Sequence, residues 1–242
     1  MVNYILFNQK YLHFLIFLLI LFFLFPHQVI IHAEISDSDL NQIEIKSNNI
    51  IYITGFTPFF NYSVNPSESI VNELNQTMIQ NYSIIGRILP VDFIEAPLLI
   101  QGDIKNLDPS LIICLGLDSN CDSITLEALS INLKFNVSDN QPLQTFQRLK
   151  RGGPFIIPTR LDIKDMFEDL KNNDIPASIS FSAGLYVCNA VFYETLFYLT
   201  ESNIKTPMGF IHVPHLEDYN NNGMKLETMI DGILTIMLTN IQ

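Results

Sequence analysis

The sequence predicts an α/β fold: a single three-layer α/β/α domain with a mostly parallel, twisted central sheet. Two observations support this prediction. Short apolar runs have the length and β-branched content of buried strands, and they are Ile50–Phe56, Ser83–Leu89, Leu111–Leu115 and Met208–Val213. Segments with helical apolar spacing separate these runs, and strands that alternate with helices favour a parallel sheet covered by helices on both faces.

The helices are predicted from apolar residues that recur every three or four positions. A first helix is expected to start with Ser67 as its N-terminal cap and to reach about Gln80. Three further helices, one extended segment and one loop are predicted outside the segment around Cys188. The helices are Pro97–Asn106, Thr159–Asn173 and Gly223–Thr239, the extended segment is Ile124–Leu133, and the loop is Ser138–Pro154.

Composition excludes two broad classes of protein. Apolar residues make up 48% of the chain and charged residues 16%, which is typical of a globular domain and not of a disordered chain. The formal net charge is −12, and binding to phosphate backbones requires an excess of Lys and Arg. No nucleic acid partner is therefore expected.

Residues 1–33 are predicted to be a signal peptide or signal anchor that precedes the fold. Lys10 comes before an unbroken apolar run from Phe14 to Phe25, and Ala33 offers a small residue at a cleavage point. Pro26 ends the apolar run early, which favours a cleaved signal. The chain is therefore expected to be secreted or to stay within the secretory pathway.

Two alternatives to a cleaved signal remain open. The segment from Tyr11 to Ile31 is long enough to be retained as a membrane anchor, and only then is membrane contact expected. A wrongly assigned gene start would leave the domain in the cytoplasm. Residues 34–48 are predicted to be a polar linker, and residues 49–242 the catalytic domain. Four sequons are compatible with a secreted glycoprotein, at Asn61, Asn75, Asn81 and Asn136.

The segment around Cys188 combines a strand, a turn and a helix. Ala177–Ser182 has the pattern of a strand, Gly184 breaks it, and helical spacing begins at Tyr186. Cys188 is therefore expected in the first turn of a helix, where free N–H groups and the helix dipole favour a thiolate. The alternative is an inert cysteine packed in the core.

Four segments of the chain resemble the pyroglutamyl peptidase I family of cysteine peptidases, in the family's order. Ser182–Tyr193 (SAGLYVCNAVFY) is similar to the family's nucleophile segment. Thr54–Phe59 with Val64–Ser67 resembles its N-terminal signature, Ile124–Leu133 its acidic segment, and Gly209–Pro214 (GFIHVP) its histidine segment. The resemblance covers the chain from about Ile50 to the C-terminus.

The resemblance implies a cysteine exopeptidase that removes N-terminal pyroglutamate from pyroglutamyl-capped peptides. It implies Cys188 as the nucleophile, His212 as the general acid and base, and Glu127 as the residue that orients His212. His215 is a rival base, and His212 is preferred because it stands at the carboxyl end of a predicted strand. The backbone N–H of Cys188 is a plausible oxyanion donor. No cofactor and no metal is expected.

Pyroglutamate is a neutral lactam, so its pocket needs flat apolar walls and backbone hydrogen-bonding groups. The resemblance assigns these walls to Phe56 and Phe59 on one side and to Tyr186 and Val187 on the other. The alternative for each aromatic residue among them is ordinary packing in the core.

Three departures from the family pattern motivate a second hypothesis. Phe60 stands where the family commonly has glycine, Ala128 replaces a basic residue, and Asn136 stands near an expected arginine. The second hypothesis is a catalytically impaired relative that binds pyroglutamyl-capped peptides or another partner. A third is another thiol amidohydrolase on a similar scaffold.

The remaining cysteines allow two arrangements. In an oxidising compartment Cys114 and Cys121 are able to pair and leave Cys188 free. The alternative, which we favour, is a buried strand residue at Cys114 and a loop thiol at Cys121.

Overall fold

The computed structural model describes residues 49–136, 145–219 and 223–241. The predicted signal segment and linker, residues 1–48, lie outside the described residues, and so does the first part of the predicted loop, residues 138–144. None of the helices in the described part is long and apolar enough to cross a membrane.

The described chain contains eleven strands and five helices. The strands are β1 (Ile50–Phe56), β2 (Met78–Ile79), β3 (Tyr82–Leu89), β4 (Leu111–Leu117), β5 (Ile124–Glu127), β6 (Leu129–Ile131), β7 (Lys134–Asn136), β8 (Thr145–Gln147), β9 (Ile156–Pro158), β10 (Ala177–Ser180) and β11 (Met208–Val213). The helices are α1 (Pro66–Leu74), α2 (Glu95–Leu107), α3 (Ile163–Asn172), α4 (Val187–Glu201) and α5 (Leu226–Asn240).

The central sheet has seven strands in the order β10-β5-β11-β4-β1-β3-β2. β3, β1, β4 and β11 run parallel to one another. β5 is antiparallel to β11, β10 is parallel to β5, and β2 forms a short antiparallel edge on β3. The prediction of a mostly parallel α/β sheet is confirmed, and the antiparallel junction of β5 and β11 was not foreseen.

Helices cover both faces of the sheet and divide the core in two. α1, α3 and α5 pack on one face, where Ile51, Ile53 and Met229 are fully buried. α2 and α4 pack on the other, against Tyr52 and Phe210. Successive strand residues point to opposite faces, so β1 contributes Ile51 and Ile53 to one core and Tyr52 to the other. The predicted three layers are present.

The first helix differs from its prediction at both ends. Asn65, not Ser67, is the N-terminal cap, since its side-chain oxygen accepts a hydrogen bond from the Ser67 N–H, and Pro66 occupies the first helical position. The helix ends at Leu74 and not near Gln80. Asn75 is extended and its side chain accepts from the Gly86 N–H, which directs the chain into β2 instead of a further helical turn.

The region predicted as one extended segment and one loop contains more strands than expected. The extended segment divides into β5 and β6, and β6 pairs with β9. β7 pairs with β8 in a second small sheet, so part of the predicted loop is a strand. These short pairings connect distant residues, and local sequence patterns carry little information about such partners.

Candidate active site

Cys188 lies at the start of α4, just after β10. Gly184 adopts φ +75°, a left-handed conformation that suits glycine, and Tyr186 is the N-terminal cap residue with an extended backbone. Cys188 is the second residue of the helix. Its side chain is half-buried. The unpaired N–H groups and the dipole at this helix end favour a negative charge on the sulfur.

Glu127 and His212 meet across the antiparallel junction of β5 and β11. Glu127 lies opposite Phe210 and His212 lies opposite Thr125, so Glu127 and His212 are diagonal neighbours on one face of the sheet. His212 Nδ1 is 2.8 Å from Glu127 Oε1, and both side chains are buried. Within the described residues Glu127 Oε2 has no hydrogen-bond partner, and Oε1 is the oxygen that faces the imidazole.

Cys188 acts on the same imidazole ring. Hydrogen bonding and charge at the Cys188 side chain are among the causes that raise the pKa of His212. Because Nδ1 faces Glu127, Nε2 is the nitrogen that remains for the sulfur. A carboxylate that holds an imidazole, which in turn contacts a nucleophile, is the arrangement of a catalytic triad.

The charge on His212 follows from these contacts. Burial alone disfavours the charged ring and lowers the pKa of His212, but the hydrogen bonds to Cys188 and Glu127 outweigh burial and raise this pKa from 6.5 to about 10. The ring is therefore protonated at neutral pH. A cation beside a sulfur favours the thiolate, which is the reactive form of cysteine.

Gly116 makes room for this arrangement, and the sequence analysis missed it. Gly116 lies opposite His212 in the pairing of β4 with β11. A Cβ atom at position 116 would stand 2.9 Å from Cys188 Sγ and 2.9 Å from Phe210 Cζ, which is closer than real contacts allow. The only sequence signal is a glycine inside a buried strand, which often marks the close approach of another group.

All four residues predicted to hold the lactam line one small pocket with Cys188. They are Phe56, Phe59, Tyr186 and Val187, and the pocket is completed by Asn65, Val91 and Leu117. The volume is about 20 Å³, which is little more than the space of a single water molecule. The space beside Cys188 is therefore narrow.

The rim of this pocket is formed by the loop after β1. Phe60 is 80% exposed, has φ 52°, and its ring stacks on Tyr186 at a centroid distance of 6.1 Å. A left-handed backbone is costly for an aromatic residue. Asn65 ties the start of the loop to α1, because its amide donates to the Thr57 carbonyl at 3.2 Å.

His215, the rival base, and the two departures at Ala128 and Asn136 are not among the residues that line the pocket. The ring of His215 packs against Tyr62 at a centroid distance of 4.8 Å, and it is not bonded to the triad residues in the described part of the chain. Ala128 continues from β5 and its backbone bonds to Ser180 and Thr159. Asn136 ends β7, and its side chain lies outside the described residues.

Asn189, next to the nucleophile, is a second residue that the sequence analysis did not single out. Its side chain is fully buried and bonds the backbone of Ile131 through both its oxygen and its nitrogen, and the backbone of Leu133 through its nitrogen. It thereby fixes the chain that leads from Glu127 into β7.

The three cysteines are free thiols. Cys114 is buried in β4, and burial raises the pKa of its thiol to about 12; Cys121 is half-buried in a loop, and burial raises the pKa of its thiol to about 11. The favoured arrangement without a disulfide is the one observed. Among the described residues, no three His, Cys, Asp or Glu side chains cluster closely enough to hold a metal ion.

The α/β fold, a cysteine that lines a pocket, and a nearby imidazole held by a carboxylate are together typical of thiol hydrolases. The family model for pyroglutamyl peptidase matches residues 49–240. The chain belongs to the pyroglutamyl peptidase family and is an enzyme of the pyroglutamyl-peptidase I type.

Individual relatives agree with this assignment. Pyrrolidone-carboxylate peptidase from Halalkalibacterium halodurans is 38% identical over 168 residues, which cover 69% of this chain and 84% of the relative. Among solved structures, pyrrolidone carboxyl peptidase from Thermococcus litoralis has a TM-score of 0.74 at 30% identity, covering 79% of this chain and 93% of that one. Pyroglutamyl peptidase I from Bacillus amyloliquefaciens has a TM-score of 0.73 at 29% identity, covering 80% and 95%.

Proposed function

We propose that the enzyme hydrolyses the amide bond after an N-terminal pyroglutamyl residue, with Cys188 as nucleophile, His212 as general acid and base, and Glu127 as the residue that orients His212. Membership of the pyroglutamyl peptidase family supports the substrate class. One observation carries the assignment of roles. Glu127 is hydrogen-bonded to His212, and Cys188, which lines a small apolar pocket, acts on the same ring.

In the first step the Cys188 thiolate attacks the pyroglutamyl carbonyl carbon, and the C=O electron pair moves to oxygen. The backbone N–H of Cys188, at the helix N-terminus, is suited to hold that oxyanion. The intermediate collapses and the C–N bond breaks. His212 gives its proton to the leaving amine, and a thioester on Cys188 remains together with a neutral imidazole.

In the second step the neutral His212 takes a proton from water as the water attacks the thioester carbon. The C–S bond breaks, pyroglutamate leaves, and Cys188 returns to the thiolate beside a protonated His212. In both steps the proton on His212 Nδ1 stays on the ring and is hydrogen-bonded to Glu127. This hydrogen bond fixes the ring orientation, so Nε2 faces the reacting atoms.

The pocket explains why the ring and not a free N-terminus would be bound. Phe56, Phe59 and Val187 offer flat apolar contacts, and the pocket lining has no carboxylate for an ammonium group. The Asn65 amide is already bonded to Ser67 and Thr57. Backbone groups are therefore left to pair with the lactam N–H and C=O.

The test is release of a fluorophore from a pyroglutamyl aminocoumarin amide by the purified domain under reducing conditions. Cys188→Ser is expected to lower kcat/KM by at least about 10³-fold, because the weaker hydroxyl nucleophile replaces the thiolate. Cys121→Ser is the matched control and should keep full activity. Equal turnover by wild type and Cys188→Ser would overturn the assignment.

A weakened relative that binds pyroglutamyl peptides remains the second candidate. The observation that favours it is the narrow pocket with Phe60 across its rim. Calorimetry with an uncleaved pyroglutamyl peptide distinguishes the two: binding without turnover supports the second candidate, and turnover removes it.

We also propose that residues 1–33 direct the domain into the secretory pathway. Asn61 and Asn81 are exposed, as glycan acceptors must be, whereas Asn75 is half-buried and bonded to Gly86. Intact mass measurement of the protein expressed in its own secretory system is expected to show a chain that lacks the leader and carries glycan at one or both exposed sites. A full-length cytoplasmic chain would contradict this proposal.

A further inference from the structure

A groove beside the candidate pocket plays no part in the chemistry above. It has a volume of about 250 Å³ and lies between α2, α4 and the β7–β8 hairpin. Its apolar side is formed by Phe93, Ile94 and Leu98, and its charged side by Lys134, Lys150 and Glu194. We call it the α2–α4 groove. Its volume is below the range of about 300–1,000 Å³ for whole-ligand sites, so it suits one or two side chains.

Tyr186 connects the α2–α4 groove to the candidate pocket. It lines the pocket, and its ring contacts the Phe93 ring edge-on at a centroid distance of 5.2 Å. β7 is tied to the same turn, because the Phe135 N–H donates to the Leu185 carbonyl at 2.8 Å. Lys134 therefore stands beside the turn that leads into the nucleophile.

Among the described residues, Lys134 in the α2–α4 groove forms no ion pair. Lys150 is bonded to Glu194 at 2.7 Å, whereas Lys134 has no carboxylate within 4.0 Å in the described part of the chain. Its ammonium lies over the Phe93 ring, 5.2 Å from the centroid. Asp92 is near enough to feel this charge, but its carboxylate accepts from two backbone N–H groups at the start of α2.

The wall that carries Lys150 is held from inside the fold. Asn132 is fully buried, and its amide bonds both the N–H and the carbonyl of Lys150 at 2.8 Å. Glu194, 8% exposed on α4, then pairs with the Lys150 side chain. The Lys134 ammonium also acts on Glu194, where it opposes the rise in pKa that burial causes. Two lysines thus face one carboxylate, and the described lining of the groove carries a net positive charge.

We propose that the α2–α4 groove binds the leaving side of the substrate and favours peptides in which an apolar side chain is followed by a carboxylate. Ile94 and Leu98 are 69% and 59% exposed, and an apolar side chain would cover them. Lys134 would pair with the carboxylate, which comes either from the C-terminus of the peptide or from an acidic side chain. This inference rests on the proposed function, because the pyroglutamyl ring must lie in the pocket first.

The experiment compares kcat/KM for matched substrates that differ only in a carboxylate. One pair is pyroglutamyl-Ala-Leu as free acid and as amide, and the other is pyroglutamyl-Leu-Glu-amide and pyroglutamyl-Leu-Gln-amide. Each carboxylate substrate is expected to be preferred about two- to fivefold, the effect of one partly exposed charge pair. The pair with the larger ratio identifies the source of the carboxylate. High salt should reduce the preference.

Variants separate Lys134 from general charge effects. Lys134→Gln should bring both ratios to about one, and Lys134→Arg should retain the preference. Lys205→Gln is the matched control, since Lys205 is exposed before β11 at the end of the sheet away from the pocket. All three variants should cleave pyroglutamyl aminocoumarin at the wild-type rate, because that substrate has no carboxylate.

The outcomes distinguish the two proposals. If the wild-type enzyme cleaves the aminocoumarin substrate but the kcat/KM ratios of both substrate pairs are one, the groove does not bind the carboxylate, and the proposed function still stands. If the preference for the carboxylate survives in Lys134→Gln, the role proposed for the groove is also wrong. Absence of turnover on every substrate overturns the proposed function, and this inference with it.

Discussion

The charge of His212 is set by three neighbouring influences of different sign. Burial lowers the pKa of His212, and the hydrogen bonds to Cys188 and Glu127 raise it to about 10. The pair of contacts therefore decides whether Cys188 meets a cation or a neutral ring. The resemblance to the pyroglutamyl peptidase I family predicted the members of the triad, but the sign of this balance depends on distances that only the folded chain supplies.

Glu127→Gln is expected to slow alkylation of Cys188. Loss of an opposite charge at hydrogen-bond distance lowers a histidine pKa by about 1–3 units, so less imidazolium stands beside the sulfur. At pH 9 the protonated fraction of His212 should fall from about nine-tenths to one-half or less, and the rate of reaction with iodoacetamide at pH 9 should fall about twofold or more. Glu201→Gln, at the other end of α4, is the matched control. An unchanged rate in Glu127→Gln would show that the carboxylate does not act on the nucleophile.

Phe60→Gly is expected to open the pocket and to relieve its backbone. The left-handed φ of 52° costs about 1–2 kcal/mol for a residue with a Cβ atom, so the glycine variant should be more stable than Phe60→Ala by about that amount. Both variants lose the ring that stacks on Tyr186, and both should lower KM for pyroglutamyl aminocoumarin. Denaturant midpoints and KM values check the two effects separately. A KM that rises in both variants would mean that Phe60 contacts the substrate.

At the scale of elements, the cap of α1 also supports the pocket. Asn65 accepts from the Ser67 N–H and donates to the Thr57 carbonyl, so one side chain holds a helix end and a pocket rim. Asn65→Ala should destabilise the fold by about 1 kcal/mol and raise KM. Asp162→Ala removes the corresponding cap of α3 and should cost a similar amount with KM unchanged. Equal KM values in both variants would show that Asn65 does not support the pocket rim.

The elements themselves were predictable to different degrees. β1, β4, β11 and α4 were anticipated closely, because long apolar runs and helical spacing are local signals. α1 was predicted too long, since the hydrogen bond that the Gly86 N–H donates to the Asn75 side chain comes from a residue beyond the helix, in β3. The pairing of β7 with β8 was missed for the same reason.

At the scale of the whole molecule, sheet topology brings the triad together. Glu127 comes from β5, His212 from β11, and Cys188 from the helix after β10. The antiparallel placement of β5 beside β11 puts the carboxylate on the same face as the imidazole. The fold therefore holds Glu127 and His212, from distant parts of the chain, in contact. The free energy of unfolding should depend on the protonation of His212.

The stability of the molecule should fall at alkaline pH through His212. The pKa of His212 is raised in the folded state, so its stabilising contribution is fully present below pH 6.5 and is lost as the pH rises through about 10. The free energy of unfolding of wild type minus that of His212→Gln should therefore shrink between pH 8 and pH 10.5. Urea titrations at several pH values measure this difference. A constant difference would place the ring in its neutral form.

The sequence by itself determined the fold class, the family and the residue types of the site, because apolar periodicity and short motifs are written locally in the chain. Tertiary structure alone decided that Glu127 bonds to His212, that Gly116 leaves space for the Cys188 sulfur, and that Lys134 lies over the Phe93 ring beside the pocket. These facts are contacts between residues remote in sequence, and they follow from strand order and register, which no local pattern specifies.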